Sequence, residues 1–143
     1  MARKAALVTG AARRIGRAIA ERLAGAGYDL AIHSSEATRA EAEAAAAHLR
    51  ALGREVVVIA AELADPEQPA RIVEAAVAAL GPLSVLVNNA SIFERDAADA
   101  IDVALFDKII AINLRAPLLL AQHFADQVPE GAEAAIVNLV DQR

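Results

Sequence analysis

The chain has 143 residues, a formal net charge of −5 and no cysteine, which suits one domain with a real core and leaves no thiol for a disulfide or a thiolate metal site. Apolar residues make up 57% of it but aromatics only 3%, so the core must be built from Ala, Val, Leu and Ile. No apolar run nears the roughly 18 residues that span a bilayer, no basic tract suits a nucleic acid, and His33, His48 and His123 lack metal-ligand spacing.

In chain order the sequence alternates strand and helix. Residues 5–9 form a short apolar run, and 15–26 carry Ile15, Ile19 and Leu23 on one helical face, with Gly25 and Gly27 as the stop. Residues 28–33 read as a second strand. An Ala- and Glu-rich helix follows over 36–51, its charges forming a solvated face, and Gly53 ends it. Residues 55–61 are a third strand. Asp65-Pro66 opens a helix that runs to about Leu80, and Gly81-Pro82 stops it. Residues 83–90 are a fourth strand. A long helix covers roughly 102–126, which Pro117 must kink or divide. Residues 133–140 are a fifth strand. Continuous apolar strands alternating with helices predict a parallel sheet covered on both faces. The expected fold is therefore α/β and doubly wound, of the Rossmann type, with ligands beyond the carboxyl ends of the strands. The whole of 1–143 reads as one such domain, truncated after the fifth strand.

The stretch "TGAARRIG" (9–16) is a strand-to-helix turn bracketed by Gly10 and Gly16. It aims the free amides and positive dipole of a helix start at whatever lies above it, which defines an anion site. Arg13, Arg14 and Arg17 crowd the same helix start, the unfavourable end for cations, and a bound anion would resolve the conflict. The Gly-Lys-Ser/Thr ending of a nucleotide triphosphate loop is absent, which favours a dinucleotide. A dinucleotide site that prefers NAD has an acidic residue at the end of the second strand, whereas this chain has His33, Ser34 and Ser35 there. NADP(H) is the expected cofactor, with Glu36 the one nearby acid that argues otherwise.

Four segments in order resemble the short-chain dehydrogenases/reductases: "TGAARRIG", "AELAD" (61–65), "NNAS" (88–91) and "IAINLRAP" (110–117). Two departures resemble the pteridine reductase branch of that family. Arg14 replaces the middle glycine of the turn, and "IVNLVD" (136–141) ends in Asp141 where the family has its serine. "NNASIF" (88–93) is similar to the same branch. The resemblance implies a cofactor set of Gly10, Arg13, Arg14, Ile15, Gly16, Ser34, Ser35, Glu62, Leu63, Asn89, Ala90 and Ser91. It places Arg13 near the adenosine 2′-phosphate and Arg14 between pyrophosphate and substrate. Arg14, Ser91, Phe93 and Asp141 would meet the substrate, with Phe93 stacked on its ring, and Asn113 and Asp141 would be catalytic.

The family's Tyr-x-x-x-Lys pair has no counterpart: the single tyrosine is Tyr28, in the wrong neighbourhood. This chain alone is expected to be a fragment without turnover. The complete protein is expected to be a cytoplasmic NADPH-dependent reductase of a pterin-like or other planar C=N or C=O substrate, a homodimer or homotetramer, without membrane, nucleic-acid or metal partners. A 3-oxoacyl or general carbonyl reductase is the nearest alternative. A non-catalytic dinucleotide-binding protein is the alternative of another class, and a methyltransferase is more distant because it would want an acid where Ser34 and Ser35 stand.

Overall fold

The computed structural model describes residues 4–140. Five strands form one sheet: β1 (Lys4–Val8), β2 (Tyr28–Ser34), β3 (Val56–Ala60), β4 (Val85–Asn88) and β5 (Ala135–Asn138). Their order is β3-β2-β1-β4-β5 and every pairing is parallel. The chain builds outward from β1 to β3, then returns to the far side of β1 to lay down β4. That reversal creates the switch point of a doubly wound sheet, where the loops after β1 and β4 part and leave a crevice.

Side-chain alternation along the strands divides the core in two. Ala5 and Leu7 of β1, Ala31 of β2 and Leu86 of β4 face α3 (Gln68–Leu80) and α5 (Ala116–Gln127), joining Ile72, Ala76, Leu120 and Phe124. Ala6 and Val8, Leu30 and Ile32, and Val87 face the opposite way. They meet α1 (Arg14–Gly25) and α2 (Arg39–Ala51) through Ala20, Ala24, Ala42, Ala45, Ala46 and Leu49. Alanine at most helix contacts lets the helices lie close on the sheet. Each fully buried Leu or Ile adds about 1.5–3 kcal/mol by leaving water. The doubly wound fold expected from the sequence is present, as are all five strands and their intervening helices.

The differences are local. The helix expected from residue 36 opens with a 3₁₀ turn, Glu36–Thr38, before α2 begins. The helix expected from Asp65 starts at Gln68, because Asp65 caps the preceding turn: its carboxylate accepts from Glu67 N (2.9 Å) and Gln68 Nε2 (3.0 Å). The expected long helix is divided into α4 (Val103–Ile110), a π turn (Ala111–Arg115) and α5. Asp102 caps α4 by accepting from Leu105 N at 3.1 Å. Pro117 falls in the first turn of α5, where its missing N–H is tolerated, and the wider turn precedes it. No helix among the described residues is long and apolar enough to cross a membrane.

Candidate functional site

The loops after β1, β2, β3 and β4 enclose a cleft of about 400 Å³ at the carboxyl edge of the sheet. Its floor is the turn that follows β1. Thr9 is buried and stitches that turn to β4, its Oγ1 accepting from Asn89 N and Ala90 N, both at 3.0 Å. Asn89 completes the stitch: its Nδ2 donates to Thr9 O at 2.9 Å and to Gly10 O at 3.1 Å. Gly10 has φ +63°, a conformation glycine adopts without strain. A Cβ on Gly16 would collide with the Gly10 carbonyl and lie 2.5 Å from Asn89 Nδ2, so the helix can begin this close to the turn only with glycine there.

α1 then starts without a side-chain cap at Arg13 and without an acidic residue in its first turn. No side chain caps its leading amides, and this is where the sequence led us to expect an anion. Arg14 has φ +52°, in the left-handed region that favours glycine. A non-glycine residue there stores strain of about 1–3 kcal/mol. Both arginines line the cleft, and Arg13 reaches Glu41 of α2 with Nη1 3.7 Å from the carboxylate.

The second wall comes from β2 and the turn after it. Ser35 lines the cleft, with its Oγ 3.1 Å from Thr38 Oγ1. Its neighbour Ser34 does not line it: Ser34 is buried in the sheet, and its Oγ has no partner among the described residues. Glu36 is turned to Arg39, which donates to both carboxylate oxygens at 2.9 and 3.0 Å. Those bonds hold the Glu36 carboxyl below its ordinary pKa. Glu62, after β3, lines the cleft and accepts from Glu36 N at 3.0 Å.

The third wall is the segment after β4. Asn89, Ala90, Ser91 and Ile92 line it, with Ile112 from the π turn opposite. Asn113 is the centre of that turn, and its amide is spent on the loop: Oδ1 accepts from Ile92 N at 2.9 Å and Nδ2 donates to Ile92 O at 2.8 Å. A π turn widens the helix and re-aims a side chain, and such turns are frequent at functional sites. Phe93 follows Ile92 but is 69% exposed and outside the cleft lining. Asp141 lies outside the described residues.

The cleft thus gathers Gly10, Arg13, Arg14, Ile15, Gly16, Ser35, Glu62, Leu63, Asn89, Ala90 and Ser91, all anticipated from the sequence. It adds His33, Thr38, Ile92 and Ile112, which sequence reasoning missed. Thr38 and His33 flank the anticipated serines, so position beside the strand end was the available signal. Among the described residues no cluster of His, Cys, Asp or Glu could hold a metal ion.

The uncapped start of α1, flanked by arginines, thus lies at the switch point of a doubly wound sheet, where folds of this class bind their ligands. The sequence profile of the family described as short chain dehydrogenase matches residues 4–141, and the chain belongs to that family. A short-chain dehydrogenase/reductase, FrzI, of a Cladobotryum species is 37% identical over 136 residues, covering 95% of this chain and 52% of that protein. The 3-oxoacyl-[acyl-carrier-protein] reductase FabG of Staphylococcus aureus is 35% identical, covering 95% of this chain and 55% of the relative. The chain therefore spans about half the length of the curated relatives it matches. Among solved structures, FolM alternative dihydrofolate reductase 1 of Brucella canis, complexed with NADP, superposes with a TM-score of 0.92 at 39% identity, covering 99% of this chain and 57% of that one. A blue fluorescent protein from a metagenomic library, in complex with NADPH, gives a TM-score of 0.89 at 38% identity, covering 94% of this chain and 54% of that one.

Proposed function

We propose that this chain is the NADP(H)-binding part of a short-chain reductase whose complete form reduces a pterin-like or other planar substrate at a C=N or C=O bond. The observation that carries the cofactor reading is the start of α1, uncapped and carrying Arg13 and Arg14 at the rim of the cleft. The residues present fit a dinucleotide with a 2′-phosphate. The leading amides of α1 and Arg14 would hold the pyrophosphate, and Arg13, Ser35 and Thr38 would hold the 2′-phosphate. The acid that would repel that phosphate, Glu36, is engaged by Arg39. Glu62 and Leu63 would border the adenine, and Asn89, Ala90 and Ser91 the nicotinamide end. When bound, NADPH supplies a hydride, and the protein's share is placement and the proton.

The roles proposed for the remaining residues follow from where they are held. Asn89 fixes the turn's carbonyls, so its contribution is to positioning. Asn113 ties the loop carrying Ser91 and Phe93 to the helix, which sets how near that loop lies to the substrate. Phe93, exposed here, would cover the face of a planar ring, and Asp141 would hold or pass a proton to it together with the family's tyrosine. Tyr28, the chain's single tyrosine, begins β2 at the opposite end of the sheet and has no part in this.

The pterin-like substrate is supported by Arg14, Phe93 and Asp141 together, and by the FolM neighbours at 39% identity. A 3-oxoacyl thioester is the second reading, supported by the FabG relatives. Steady-state assays of the complete enzyme with a dihydropterin and a 3-oxoacyl thioester separate them. Higher kcat/KM for the dihydropterin is expected, and turnover of the thioester alone would reverse the order. Calorimetric titration of this chain with NADPH and NADH tests the cofactor, and equal or tighter binding of NADH would refute it.

A further inference from the structure

Among the described residues His33 is the one imidazole that lines the cleft, and it stands where three strands end. Its ring is buried and contacts two backbone groups of opposite character. Ala61 O, after β3, lies 2.9 Å from Nε2, and the Gly10 amide nitrogen lies 3.3 Å from Nδ1. A carbonyl oxygen only accepts, so Nε2 must carry the hydrogen. An amide N–H only donates, so Nδ1 must present its lone pair. The contacts therefore select one tautomer of the neutral ring. The carbonyl of the same residue accepts from Ala11 N at 3.0 Å, so a single residue satisfies two successive amides of the glycine turn. Asn89 holds the carbonyls of that turn from the β4 side, at 2.9 and 3.1 Å.

We propose that His33 is a positioning residue for the dinucleotide site, a neutral Nε2–H clamp that ties the glycine turn to the carboxyl ends of β2 and β3 and so sets the shape of the turn beneath the ligand. Protonation would give Nδ1 a hydrogen that faces the Gly10 N–H, and the clamp would open on that side. Burial holds the ring below its ordinary pKa, against the Ala61 carbonyl and Glu62, which both favour the proton. The other charged groups lining the cleft are Arg13 and Arg14, on the turn itself. The clamp stands on the geometry of the turn, and its purpose rests on the NADP(H) reading given above.

Long-range ¹H–¹⁵N spectra of the imidazoles in this chain, recorded without nucleotide, read the clamp directly. A neutral Nε2–H ring at neutral pH is expected for His33, and an Nδ1–H tautomer or an imidazolium would overturn the clamp whether or not nucleotide binds. NADP⁺ titration of two variants reads its purpose. His33→Asn keeps an acceptor within reach of Gly10, whereas His33→Gln keeps only a donor within reach of Ala61. H33Q should weaken NADP⁺ binding by about tenfold, as loss of a partner to a buried donor does, and H33N should recover most of that loss. Equal affinities for the two variants would overturn the positioning role. Absence of NADP⁺ binding by the wild-type chain would overturn the cofactor reading instead, leaving the tautomer result to stand or fall alone.

Discussion

Replacing Gly16 by alanine should disable the site through a single methyl group. The added Cβ would collide with the Gly10 carbonyl oxygen and come to 2.5 Å from Asn89 Nδ2 and 2.8 Å from the Gly10 carbonyl carbon. None of these can rotate away: two are backbone atoms, and the amide is already bonded to Thr9 O and Gly10 O. Overpacking of this kind costs about 1–3 kcal/mol. If the turn shifts instead to make room, the Asn89 bonds to Thr9 O and Gly10 O are lost, at about 1 kcal/mol each. The better helix propensity of alanine returns up to about 1 kcal/mol. The net expectation is a loss of about 2 kcal/mol, with the turn displaced from its place under the cleft. Urea denaturation followed by circular dichroism measures the first effect, and NADP⁺ calorimetry the second, where at least about a tenfold loss is expected on the same energy scale. A G16A chain with an unchanged urea midpoint and unchanged NADP⁺ affinity would refute the account of why glycine stands there.

Arg14→Gly should separate stability from binding. Its φ of +52° suits glycine, so relief of about 1–2 kcal/mol of strain, offset by about 0.5–1 kcal/mol for glycine's freer unfolded chain, should hold or raise the urea midpoint, while NADP⁺ binding weakens for want of the guanidinium. A lower midpoint would remove the strain argument. Arg39→Ala should release the Glu36 carboxylate beside Ser35 and Thr38, and the preference for NADPH over NADH should fall several-fold; adding Glu36→Gln should restore it, and calorimetry of both variants with both cofactors checks the pair. Folding stability should fall as the pH drops below 6.5, the ordinary histidine value, because the folded His33 resists the proton that the unfolded chain accepts. The loss should level off below the folded pKa, and above 6.5 this group contributes no pH dependence. Thermal melts across pH 5–8 test this, and H33N should flatten the acid limb relative to wild type.

The fold was legible because its signals are steric. Gly10 and Gly16 are required by a positive φ and by close packing, and those requirements are visible as letters. The apolar runs of β1, β2 and β4 are largely buried on both faces and that of β3 is half-buried, which gave the parallel sheet. That same two-sided burial hid the difference between Ser34 and Ser35. With no polar face to set the alternation, nothing in the letters says which hydroxyl enters the cleft and which the core. The π turn was hidden for another reason. Widening one turn by a residue changes no residue type, so Pro117 signalled a disturbance in the long helix but not its form. The Arg39–Glu36 pair was readable, since the two stand three apart with Arg39 opening α2, and it answers the objection that Glu36 raised. His33 was invisible as a clamp because both its partners are backbone groups from distant segments.

The stitch between Thr9 and the segment after β4 joins residues 80 and 81 positions apart. Such a contact closes late, because the entropy of bringing the ends of so long a loop together must be met before the contact forms. β1, β2 and β3 can pair through short crossovers first, yet a chain at that stage has half a turn floor and no wall on the β4 side. The cleft comes into being only when β4 docks. Any nucleotide that binds it therefore discriminates fully against partly assembled states, and at a hundredfold excess over Kd it would add about 2.7 kcal/mol to the folded state alone.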